Sequence, residues 1–140
     1  MKHKRILAMI LAVASCLSLA VSVSAANTTA RKATDFKDYD AKSWYAEAVS
    51  AAVDNGLLYG KSSTIIDPNG DMTRAEMAAI INRSFGCYVK ADISKYKDVS
   101  KDKWYFEDVA MAVQMGTYNG RSNSSMAPDA PITRQEAMTV

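Results

Sequence analysis

The sequence predicts an all-α fold made of two tandem helix–loop–helix units. Three observations carry the prediction. Residues 36–80 and 96–140 align without a gap at an offset of 60, with 15 identities in 45 positions. Each copy opens with apolar residues at helical spacing that stop at a glycine, Gly56 or Gly116. Each copy then reaches Thr-Arg-x-Glu, at Thr73–Glu76 and Thr133–Glu136, a spacing that lets the Thr hydroxyl and the Glu carboxylate cap a helix start reciprocally.

The elements follow in chain order. Lys2, His3, Lys4 and Arg5 precede an apolar run from Ile6 to Ala20, and Val23-Ser24-Ala25 supplies small residues for cleavage. Residues 1–25 therefore read as a secretory signal peptide, and the protein as exported. A retained membrane helix is disfavoured by the shortness of the run. Lipoprotein processing at Val13-Ala14-Ser15-Cys16 is disfavoured because Cys16 lies inside the apolar stretch. Residues 26–35 are a polar lead-in, 36–86 the first repeat, 87–95 a linker and 96–140 the second repeat.

In the first repeat, Ser43 is expected to cap a helix with Trp44, Ala48 and Ala52 on one stripe and Val49 and Val53 beside it. Leu57 to Asp71, containing Gly60, Pro68 and Gly70, is the loop. The second helix follows Thr73, buries Met77, Ile80, Ile81 and Phe85, and ends at Gly86. The second repeat runs from Trp104 to Gly116, then through a loop to Arg134–Val140. That last helix is shorter and lacks counterparts of Ile81 and Phe85, so the chain is expected to be a piece of a longer protein with a further C-terminal repeat or cargo domain, or to complete its core with another molecule.

Composition narrows the function. At 49% hydrophobic and 23% charged residues, the chain has ordinary globular make-up. Its formal charge of +2 comes from the leader: without Lys2, Lys4 and Arg5, 14 basic residues face 15 acidic ones, a net charge of −1. The basic balance is thus a targeting signal, and no nucleic-acid partner is implied. Past the leader there is no His and one thiol, Cys87, which removes Ser-His-Asp and Cys-His nucleophiles and His/Cys zinc clusters. Cys87 reads as a buried or boundary residue. Asp67-Pro68-Asn69-Gly70-Asp71 spaces oxygens like a calcium loop, but Met72 and Ala78 stand where the Gly and closing Glu belong, and the second copy loses the pattern. Neither a metal nor a cofactor is expected.

The pattern Phe36-x-Asp38, Trp44-Tyr45, Ala52, Gly56, Gly60, Pro68 and Thr73-Arg74-Ala75-Glu76 resembles the S-layer homology (SLH) repeat. Tyr96-x-Asp98, Trp104-Tyr105, Ala112, Gly116, Gly120, Pro128 and Thr133-Arg134-Gln135-Glu136 match it again. The resemblance implies a small helical bundle, pseudo-threefold when complete, with ligand grooves between repeats. It also implies non-covalent anchoring of an exported protein to pyruvate-bearing secondary cell-wall polysaccharide on a Gram-positive-type surface. In that resemblance Arg74 and Arg134 fall on the ligand-contacting arginine.

The residues offer a compatible chemistry. Arg74 and Arg134 follow their capping Thr, beside free N–H groups and the positive end of the helix dipole, and an Arg fork suits a carboxylate. The competing role for Arg74 is an ion pair with a nearby Asp such as Asp71. Trp44 and Trp104 are either sugar-stacking platforms or core anchors. Asp38 and Asp98 either orient sugar hydroxyls or hydrogen-bond the loop. Gly60 and Gly120, like Gly56, either serve backbone geometry or offer N–H groups to the ligand. Glu76 and Glu136 are expected to cap, and Arg83 to be solvated surface. A binding module, not an enzyme, is the resulting expectation. The alternative is a self-assembling surface-layer component completed by packing of repeats between chains. No pair of carboxylates is singled out as acid and base for glycoside hydrolysis.

Overall fold

A computed structural model describes residues 31–140, which form one compact unit. The expected leader and residues 26–30 lie outside the described residues. Four α-helices make the unit: α1 (Ala46–Asp54), α2 (Arg74–Phe85), α3 (Phe106–Met115) and α4 (Arg134–Ala137), preceded by a 3-10 turn at Ala33–Asp35. Among the described residues there is no strand beyond an isolated antiparallel bridge between Thr73 and Pro131, and no helix is long and apolar enough to cross a membrane.

The helix ends are set by local chemistry. Thr73 and Thr133 each accept a hydrogen bond from the N–H of Glu76 and Glu136, while those carboxylates take the N–H of Thr73 at 2.8 Å and of Thr133 at 2.9 Å. Gly56, Gly86 and Gly116 leave α1, α2 and α3 with φ of +68°, +65° and +76°, the left-handed conformation that terminates a helix. Ser43 does not cap α1. Its hydroxyl donates to Asp40 at 3.0 Å inside a turn, and the helix begins at Ala46. The stripe therefore shifts: Ala46 and Val53 are buried, Ala48 is exposed, and Tyr45 and Tyr105 take the buried places that Trp44 and Trp104 would have held.

The main core crosses the repeat boundary. α2 packs on α3, so the second helix of one copy covers the first helix of the next. Ala75, Ala78 and Ile81 on α2 meet Val109, Ala110 and Ala112 on α3, with Tyr105, Tyr118 and Met126 closing the cluster. Small side chains on both faces let the helices approach closely. Phe85, expected inside, is 75% exposed, because it falls one turn beyond Ile81, the last residue of α2 in this core cluster. The linker contributes Ile93 to this core, and the Ala91 N–H bonds the Ala110 carbonyl at 3.1 Å. Cys87 is half-buried, a boundary position. A smaller cluster of Ala33, Phe36, Val53 and Ile66 supports the first repeat, so the end of the lead-in is also structural.

Candidate functional site

The two long loops are built on one plan. Asp38 accepts the N–H groups of Ile66 at 3.0 Å and Asp67 at 2.7 Å. Asp98 accepts those of Met126 at 2.9 Å and Ala127 at 2.7 Å, and the Ser125 hydroxyl at 2.7 Å. Both aspartates thus hydrogen-bond the loop. For Asp38 the Ile66 N–H, opposed by partial burial and helped by the Asp67 N–H, lowers the carboxyl pKa below its usual value. For Asp98 burial pushes upward, but the Met126 N–H, Ser125 hydroxyl and Ala127 N–H outweigh it, again lowering the pKa. Gly60, at φ +83°, and Gly120 turn where a Cβ would collide with the Phe36 or Tyr96 ring and with loop carbonyls. The Gly120 N–H donates to the Tyr96 hydroxyl at 3.3 Å, which ties the turn to that ring.

The tip of α2 is the joint between repeats. The N–H of Arg74 bonds the Ala130 carbonyl at 3.0 Å and that of Ala75 the Pro128 carbonyl at 2.9 Å, so the second repeat's loop caps the donors expected to be free. The Arg74 side chain is 6% exposed. Its guanidinium donates to the Met126 carbonyl at 3.0 Å, the Asn119 carbonyl at 3.1 Å and the Glu136 carboxylate at 3.1 Å, and lies 5.1 Å over the Tyr118 ring. Its carboxylate partner is Glu136 of the other repeat, not Asp71. Arg121 also grips Glu136, at 3.1 Å. The Thr133 N–H chiefly lowers the pKa of Glu136 against the pull of burial, with help from the Thr133 hydroxyl and Arg121. Burial pushes Tyr118 up to about 12 although Arg74 opposes it. Arg134 at the tip of α4 is exposed, with no side-chain partner among the described residues.

Beside this joint lies a cavity of about 610 Å³. Its lining is largely apolar, with Val49, Leu58, Ile66, Ala79 and Ile80, and includes Gly60. Glu76, Ala79, Ile80 and Arg83 form the stripe of α2 opposite the one on α3, at spacings that put them on one face. Trp104 arrives from the second repeat to complete the lining. It is 60% exposed and meets Tyr105 edge to face, with centroids 5.4 Å apart. Trp44, 91% exposed, stands away from this cavity in the same edge-to-face relation to Tyr45. The core-anchor role is thus taken from both tryptophans by the tyrosines that follow them.

Two cations line the cavity. Lys61 lies 3.3 Å from Asp67 and 3.8 Å from Glu76, and donates to the Asp71 carbonyl at 3.0 Å. Arg83 is half-buried, contrary to the solvated position expected: it donates to the Leu57 carbonyl at 2.9 Å and stacks 4.2 Å over Tyr59. The sequence held a signal for Lys61, since position 121, sixty residues on, is also basic and repeats its contacts with Glu136 and the Pro131 carbonyl. For Arg83 the signal was its spacing of seven from Glu76. Among the described residues no cluster of His, Cys, Asp and Glu is placed to hold a metal.

The S-layer homology domain model matches residues 35–78 and 95–138. A surface-layer 125 kDa protein of Lysinibacillus sphaericus is 36% identical over 110 residues, covering 76% of this chain and 9% of its own length. An endoglucanase of a Bacillus strain is 27% identical over 135 residues, 95% of this chain and 14% of its own. A cell surface protein of Thermoanaerobacter kivui is 26% identical over 134 residues, 92% of this chain and 17% of its own. The chain therefore spans less than a fifth of the length of these relatives. The two matched segments coincide with the two structural repeats, and the chain belongs to the S-layer homology domain family.

Proposed function

We propose that this chain anchors an exported protein non-covalently to the bacterial cell surface by holding an acidic, pyruvate-bearing wall polysaccharide in the cavity between its repeats. S-layer homology domains anchor surface proteins to the cell wall, and the relatives include surface-layer and cell-surface proteins. The observation that carries the finer reading is Trp104, an exposed indole from one repeat overhanging a cavity lined by cations of the other. An indole face stacks on the C–H face of a sugar ring while neighbouring polar groups fix its hydroxyls. Arg74, Asp38, Asp98, Gly60 and Gly120 serve this groove by fixing the loops and the joint that shape it. Trp44 and Arg134, both exposed, are free to contact a polymer that extends beyond the groove. An endoglucanase carrying a similar segment over 14% of its length fits an attachment role for that segment.

Binding to purified wall sacculi tests this reading. Trp104→Ala should lower retention about tenfold, a loss of about 1.4 kcal/mol, with melting temperature unchanged because the side chain packs on little. Full retention by the folded variant would overturn the groove assignment. A second reading, self-association, is favoured by one observation: the large apolar side chains of Phe85, Tyr88 and Met138 are exposed. It calls for a mass that rises with concentration in light scattering without glycan.

A further inference from the structure

Three Asn-Gly pairs occur in the sequence, at Asn55-Gly56, Asn69-Gly70 and Asn119-Gly120. Such a pair is chemically unusual because glycine has no Cβ to shield its backbone nitrogen from the side-chain amide before it. Attack by that nitrogen needs an asparagine side chain free to turn and a glycine N–H free to lose its proton. At Asn55 the side-chain amide donates to the Ala51 carbonyl at 2.7 Å, and the Gly56 N–H is tied to the Val53 carbonyl at 2.9 Å. At Asn119 the backbone carbonyl is gripped by the buried Arg74 at 3.1 Å, and the Gly120 N–H donates to the Tyr96 hydroxyl. The Tyr96 ring and two loop carbonyls crowd Gly120 as well.

Asn69 is held least. It is exposed in the middle of the first loop, and its side chain has no hydrogen-bond partner among the described residues. The one bond across it runs from the Gly70 N–H to the Asp67 carbonyl. At 3.2 Å it is long, and it closes an exposed turn that opens at small cost. A Cβ on Gly70 would meet the Asp67 carboxylate first, a flexible side chain rather than backbone. The corresponding turn of the second repeat carries Asp129, which accepts the Tyr105 hydroxyl at 2.9 Å, so this loop plan tolerates an acid at that place.

We propose that Asn69 is a spontaneous deamidation site, and that its conversion makes the hold of the chain on an acidic polymer weaken with age. The Gly70 nitrogen gives its proton to solvent base and bonds to Cγ of Asn69. The Cγ–Nδ2 bond breaks, and the amide nitrogen leaves as ammonia. Water then opens the five-membered imide, at the side-chain carbonyl to leave aspartate or at the backbone carbonyl to leave isoaspartate. Either product adds one negative charge, and isoaspartate also lengthens the backbone by one carbon. Asp67, Pro68, Gly70 and Asp71 all line the cavity, so the new carboxylate appears beside two already there and repels an anion. The effect on attachment rests on the cavity being the glycan site; the modification itself does not.

The full chain is aged at mildly alkaline pH, folded and in urea, and cut with trypsin. The three pairs then fall in separate peptides, Ser43–Lys61, Ser62–Arg74 and Trp104–Arg121. From the folded chain, Ser62–Arg74 should gain about 1 Da at least about tenfold faster than the other two, whose tethers must break first. In urea the three should convert at similar rates. Equal rates in the folded chain, or the same spread in urea, overturn the site. Fresh chain, aged chain, Asn69→Asp and Asn69→Gln are then compared on wall sacculi. The aged chain and Asn69→Asp should be held about threefold more weakly than the fresh chain, a difference that closes at high salt. Asn69→Gln, whose longer side chain closes the ring far more slowly, should keep its retention on ageing. Full conversion of Ser62–Arg74 with unchanged retention overturns the weakening. A fresh chain that does not bind sacculi removes the groove reading and the weakening with it, while the mass shift still decides the site.

Discussion

Asp38 and Asp98 each hold two consecutive backbone N–H groups, and that arrangement forces the second of each pair into the left-handed region: Asp67 has φ of 54° and Ala127 of 53°. Aspartate tolerates this conformation, but alanine has no side chain to compensate, and the position costs about 1 kcal/mol. Ala127→Gly should therefore stabilise the chain by about 0.5 kcal/mol, net of the entropy glycine loses on folding, as a higher urea midpoint at unchanged slope. The same carboxylates set the acid limit. Asp38, Asp98 and Glu136 have folded pKa values below their unfolded ones, so their contribution is complete above about pH 5 and is lost as pH falls through the folded values. Melting temperature should hold level between pH 7 and about 5 and drop below about 4, more shallowly in Asp98→Asn. At the other end the sign reverses. Tyr105 is pushed up to about 12 by burial and by its bond to Asp129 at 2.9 Å, so its contribution holds below about pH 10 and is lost as pH climbs through 12.

At the scale of elements, α2 carries three faces with three tasks. Its tip joins the repeats, one stripe packs on α3, and the opposite stripe lines the cavity. The caps, the glycine stops and the repeat itself were legible in the sequence, because each depends on residues a few positions apart. What Arg74 does was not, because its acceptors lie 45, 52 and 62 residues away and two of them are backbone carbonyls that any residue could supply. The tryptophans misled for a related reason: helical spacing counts Trp44 as the first residue of a stripe, while the helix starts two residues later. Arg74 and Arg134 have the same sequence context and opposite surroundings, which gives a direct comparison. Arg74→Lys keeps the charge but cannot span Met126, Asn119 and Glu136 together, and should cost about 2–3 kcal/mol. Arg134→Lys, on an exposed side chain, should change the unfolding midpoint by less than about 0.5 kcal/mol. Equal effects from the two would show that the joint contributes nothing to stability.

Across the whole molecule, the sequence repeat and the unit of packing are out of phase. The repeat boundary falls in residues 87–95, yet the largest core is made by α2 before that boundary and α3 after it, with Ile93 of the connecting segment between them. The first repeat retains only the small cluster around Phe36, Val53 and Ile66. Cutting at the sequence boundary therefore divides the main core, and neither half keeps enough buried apolar surface to offset the entropy of ordering its chain. Peptides 31–86 and 87–140 made separately should show little helix by circular dichroism. Mixing them should restore helicity in proportion to concentration, since Arg74, Asn82 and the alanine face of α2 still match their partners on α3 and its loop. The intact chain should unfold in one transition, and Ala78→Leu, which forces a large side chain between α2 and α3, should disrupt both repeats together. If 31–86 alone gave a cooperative melt, the repeats would be independent modules, and a groove that depends on their fixed relation would lose its physical basis.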